Sequence, residues 1–190
     1  MRRSMLTGAI LGAALAVVPT AYANAQEFHA KFSGFLEIGA LGSETGAILS
    51  NGEGTLKLKL DKQLQSITFT LTYTGMATAV QQAHIHFGKV HVAGGIIAFL
   101  CSNLPSPPTP PGTQPCPANG GTVTGTLTQA SVIGPAVQNL TPGNFDGLVD
   151  ALRSHTAYGN IHTVQFPAGE IRGEIRRGKG DDGRGKEDDD

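Results

Sequence analysis

"GTLKLKLDKQLQSITFTLTYTGM", residues 54–76, decides the fold class. Leu56, Leu58 and Leu60 alternate with Lys57 and Lys59. After Asp61-Lys62-Gln63 the alternation resumes, with Ile67, Phe69, Leu71 and Tyr73 on one side and Ser66, Thr68, Thr70 and Thr72 on the other. Successive side chains of a strand point to opposite faces. Period two with β-branched residues on the wet face therefore marks half-buried antiparallel strands. The polar turn between the two runs makes them a hairpin.

The same pattern extends in both directions. "FHAKFSGFLEIG" (28–39) precedes the hairpin. "AHIHF" (83–87), "GIIAFLCS" (95–102) and "GTVTGTLTQ" (121–129) follow it, and "AYGNIHTVQF" (157–166) and "EIRGEIRR" (170–177) close the series around the turn Pro167-Ala168-Gly169. Glycine is abundant, which fits tight turns and bulges. One helix interrupts. Thr141 offers an N-cap, Pro142 suits the first helical position, and Phe145, Leu148, Val149 and Leu152 recur at helical spacing. The expectation is an all-β antiparallel sandwich or barrel with one short helix over residues 142–153.

The ends read differently. Arg2 and Arg3 precede an uncharged apolar run from Leu6 to Val18, and "AYANAQ" supplies small residues for cleavage after Ala25. That is the pattern of a secretory signal peptide over residues 1–25, too short for an ordinary membrane span. "RRSML" also partly fits a twin-arginine signal, with Met5 where Phe is usual. The mature domain is then 26–176, exported to the periplasm or medium, with no transmembrane segment. Residues 177–190 carry glycine and charge without an apolar side chain and are expected to be a disordered tail.

Composition excludes some functions. The formal net charge is −1 and there is no tryptophan, so neither a basic field nor a stacking platform for nucleic acid exists. Cys101 and Cys116 flank the proline-rich "SNLPSPPTPPGTQP". Export and an even count favour a disulfide pinning that loop. The spacing is unlike Cys-x-x-Cys, and no histidine lies between to suggest a thiolate metal site.

The chemistry-bearing residues share one parity. In "AHIHF", Ala83, Ile85 and Phe87 take one face, and His84 and His86 take the other. His162 opposes Ile161 and Thr163, and Glu170, Arg172, Glu174 and Arg176 oppose Ile171 and Ile175. If these strands are neighbours, their polar side chains converge on the non-core face. His84, His86 and His162 then form a candidate copper or zinc site. The other reading is a hydrogen-bonded polar patch that includes Glu170 and Arg172, with the arginine opposing a cation. His29 and His155 read as surface residues, and His91 lies in a loop from which it could join either arrangement. No Ser or Cys nucleophile stands with a His and an acid in a recognisable order, and no phosphate-binding loop precedes a helix, so no catalytic residue is assigned.

"AHIHFGKVHVAGGIIAFLC" and "AYGNIHTVQFPAGEIRGEI" together resemble the motifs of the chordin-type (CHRD) domain. The resemblance runs from about Phe28 to Arg176. It departs at Gly159, where the family often has a larger apolar residue, a change expected to loosen packing. It implies an immunoglobulin-like or superoxide-dismutase-like β-barrel. In bacteria such a domain stands alone behind a signal peptide. The function expected is that of a binding or structural module for an unidentified extracytoplasmic ligand or protein. The alternative is a copper-binding redox protein with superoxide-dismutase-like activity, since that enzyme also uses His-x-His on a barrel strand. The second histidine cluster with an aspartate, which would hold zinc in that enzyme, is missing.

Overall fold

The computed structural model describes residues 26–38, 46–106 and 109–178. The expected leader (1–25) and most of the expected tail lie outside these residues. Nine strands and one α-helix are present among them. In chain order they are β1 (Gln26–Ser33), β2 (Glu53–Asp61), β3 (Ser66–Thr74), β4 (Val80–Phe87), β5 (Gly95–Ser102), β6 (Gly121–Leu127), α1 (Phe145–Arg153), β7 (Ala157–Thr163), β8 (Ile171–Glu174) and β9 (Arg176–Arg177). All ladders are antiparallel, and the order across the sheet is β5-β4-β7-β8-β1-β2-β3-β6, with β9 on β1. The sheet curls into a nearly closed barrel, as the all-β reading requires.

The β2–β3 hairpin has the register that its alternation demands. Leu56 faces Leu71, Leu58 faces Phe69 and Leu60 faces Ile67, all buried. At the turn, Asp61 Oδ1 accepts from the N–H groups of Gln63 and Leu64. Slipping β3 by one residue would expose Ile67, Phe69, Leu71 and Tyr73. At about 1.5–3 kcal/mol per large apolar side chain, that slip costs on the order of 6–12 kcal/mol, which fixes the register.

Gly159 does not loosen the barrel. A Cβ there would lie 2.4 Å from Cζ of Phe32, so the Phe32 ring occupies the space a larger residue at 159 would take. The helix begins three residues later than the pattern suggests. Gly143 takes φ +80° and Asn144 is the cap, its Oδ1 accepting from Gly147 N–H. Thr141 and Pro142 therefore belong to the turn before it. Phe145, Leu148, Val149, Ala151 and Leu152 are buried against the core.

The two edges of the sheet, β5 and β6, are joined by loop chain rather than by a ladder. Cys101 on β5 is bonded to Cys116, so the expected disulfide is present. Ser102 N–H donates to Gln114 O, Gln114 Nε2 donates to Leu100 O, and Ile133 N–H donates to Ile97 O, which occupies the free side of β5. Asn103 locks the loop further, donating to Val80 O and Cys116 O and accepting from Cys116 N–H.

Candidate metal centre

β4, β7 and β8 are adjacent, and register brings their outer faces together: His84 lies opposite Asn160, and Asn160 opposite Arg172. Two bulges in the β4–β5 ladder flank the histidines, one between Ala83 and His84 and one between Ile85 and His86. Bulges re-aim side chains without breaking a strand. The parity expectation holds, since the imidazoles point away from the apolar interior. That non-core face is nonetheless not at the surface. His84 is 1%, His86 8%, His162 7% and Arg172 1% exposed.

Loop chain covers this face. His86 Nδ1 donates to Gly94 O at 2.9 Å, and Tyr158 Oη accepts from Gly94 N–H at 3.0 Å. Arg172 donates to Lys89 O and Val92 O. Residues 88–94 are thus fastened across β7 and β8. Gly94 is needed there because a Cβ would lie 1.7 Å from Phe87 O. On the other side Glu37 Oε2 accepts from Asn160 Nδ2, and Pro167 O accepts from His162 Nδ1 at 3.0 Å. A sheet with polar residues on one face is solvated there only if nothing packs on it, and strand alternation carries no information about the loops that do.

The three rings approach closely. Centroids are 4.9 Å apart for His84–His162, 5.3 Å for His84–His86 and 6.2 Å for His86–His162. One ligand-type nitrogen from each falls within 4.8 Å of the others. Each ring has one nitrogen bound to an oxygen: His84 Nε2 to Gln82 Oε1 at 3.1 Å, His86 Nδ1 to Gly94 O, and His162 Nδ1 to Pro167 O. A carbonyl oxygen only accepts, so those ring nitrogens carry the protons. The remaining three, His84 Nδ1, His86 Nε2 and His162 Nε2, are buried and have no hydrogen-bond partner. Neutral imidazole leaves a lone pair on each of them. Orienting the outer N–H toward an oxygen while the inner nitrogen stays free is how proteins prepare a histidine for a metal.

Burial disfavours the charged form of all three rings. Burial pushes His84 well below its ordinary value, with His162 and His86 adding to the effect. His86 falls to about 3, chiefly through burial, although its bond to Gly94 opposes the shift. Burial also lowers His162, against the pull of Pro167 O and the Glu37 carboxylate.

Arg172 does not point at the lone pairs. Its guanidinium lies 3.4 Å from the centre of the Tyr158 ring and pairs with Glu174 at 2.9 Å, and Tyr158 stacks at 4.8 Å on His86. The aromatic ring therefore stands between the cation and His86. Phe99 packs edge-on against His84 at 4.3 Å. Glu170 belongs to a separate arrangement. It is fully buried and accepts from Ser50 Oγ, Ala77 N–H and Thr163 Oγ1, tying β8 to the segments before β2 and β4. His29, His91 and His155 are exposed and lie outside the cluster.

A family model described as the CHRD domain matches residues 40–175. The chain belongs to the CHRD-domain family. The matched span of this CHRD domain contains His84, His86, His162 and both cysteines, and begins after β1. No curated protein and no solved structure matches the chain.

Tyr158, Asn160 and Gln82 contribute to the centre, and reading the sequence assigned them no part in it. Their signal was available: Tyr158 and Asn160 share the parity of His162, and Gln82 that of His84. Glu37 gave no such signal, because it reaches the site from a turn after β1.

Proposed function

We propose that this protein is an exported CHRD-domain module that holds one transition-metal ion, copper or zinc, on His84, His86 and His162. The observation carrying the reading is the set of three buried, unpartnered ring nitrogens whose opposite nitrogens are all bound to oxygens. A buried polar atom without a partner is destabilising unless something occupies it. Metal bonds of about 2.0–2.1 Å place nitrogens roughly 3.4–3.6 Å apart, so ligand-type nitrogens that lie within 4.8 Å of one another must draw together by roughly 1 Å on binding.

Holding is favoured over turnover. The three free ring nitrogens are buried among the described residues, which counts against a substrate reaching the ion and so against dismutase-like chemistry. The Cys101–Cys116 bond supports an oxidising destination. The mature protein would start at Gln26.

Metal analysis of protein purified from its native compartment tests this. About one equivalent of copper or zinc is expected, and His84→Ala with His86→Ala should abolish it. Wild-type protein that stays metal-free after dialysis against both ions would end the reading. So would a double variant that takes up as much metal as the wild type.

A further inference from the structure

We infer that the ion held is monovalent copper. The inference rests on the metal reading above and narrows it. The first ground is the donor count. Among the described residues the ligand group contains three imidazoles and no carboxylate or thiolate. Zinc in a closed site takes four ligands, and a three-histidine zinc site completes its tetrahedron with water. Copper(I) has a filled d shell and is satisfied by three ligands in a plane.

The second ground is closure. His84 Nδ1, His86 Nε2 and His162 Nε2 are all buried. Phe99 packs against His84, and Tyr158 lies flat on His86. Among the described residues the three nitrogens are shielded from solvent, which disfavours the water that zinc or copper(II) would need. The third ground is charge. Three neutral donors bring no negative charge to the ion. The cost of stripping water from an ion grows with the square of its charge, so a dication loses about four times as much as a monocation here.

The test uses the metal-free mature protein under anaerobic conditions. Copper(I) is titrated against a colorimetric copper(I) chelator, and zinc(II) and copper(II) against their own chelators. X-ray absorption then counts the ligands. The expected result is one copper(I) per chain with three nitrogens at about 2.0 Å, retained in competition with zinc(II). Stoichiometric zinc(II) or copper(II) binding that displaces copper(I), or a fourth oxygen ligand on the bound copper, would overturn the inference and leave the metal reading standing. Failure to retain any of the three ions would remove both.

Discussion

Acid should destabilise the metal-free domain in a narrow and predictable window. The unfolded histidine titrates near 6.5, whereas His86 in the fold is depressed to about 3. Below about 6.5 the unfolded chain binds a proton that the native ring refuses, so stability is fully present above that value and falls as pH falls. At about pH 5 the gap of 1.5 units is worth roughly 2 kcal/mol for His86 alone. His84 and His162 are shifted in the same direction. Their shifts add to that loss, which for His86 alone is already a sizeable part of the stability of an ordinary domain. Urea unfolding followed by circular dichroism, with a chelator present, measures it at about pH 7.5 and about pH 5. The reasoning predicts a fall of at least about 2 kcal/mol, reduced by about that amount in His86→Phe, whose ring keeps the stack on Tyr158. Equal stability at the two pH values would refute it, because the rings would then be accepting protons within the folded state.

Other expectations follow from single contacts. Replacing Cys101 and Cys116 by serine should cost about 3 kcal/mol for a loop of this length, read from the shift in urea midpoint. Arg172→Met should cost about 3–5 kcal/mol by stranding Glu174, while adding Glu174→Met should restore part of the loss in a double-mutant cycle. Gly94→Ala should free residues 88–94, cost about 1–3 kcal/mol, and speed metal release measured by chelator competition. Glu170→Ala should destabilise by about 2 kcal/mol or more without changing metal stoichiometry, since none of its three donors is a histidine.

The β2–β3 hairpin was fully legible because alternation states which face is buried, and burial there is one-sided. The pattern that places His84, His86 and His162 on one face was legible for the same reason. Their burial was not, because it depends on loop chain bonded through main-chain oxygens of Gly94, Lys89, Val92 and Pro167, and backbone groups are the same in every sequence. The helix start was missed because Gly143 takes a positive φ that ends any continuation toward Pro142, and Asn144 outcompetes Thr141 as cap. Glu170 looked like one of a row of alternating charges, yet its partners come from positions 50, 77 and 163.

The joint between β5 and β6 gives the domain a timing property. Every other neighbouring pair of strands meets through a ladder that forms as soon as the chain folds, whereas this one is held by loop chain anchored through a sulfur–sulfur bond. Until an oxidant has acted, that joint rests on loop hydrogen bonds alone, and a loosened strand edge is a template for a second molecule. Produced in a reducing compartment, the chain should still fold, with the β5–β6 joint as its weakest seam. Oxidation is then the step that closes that seam.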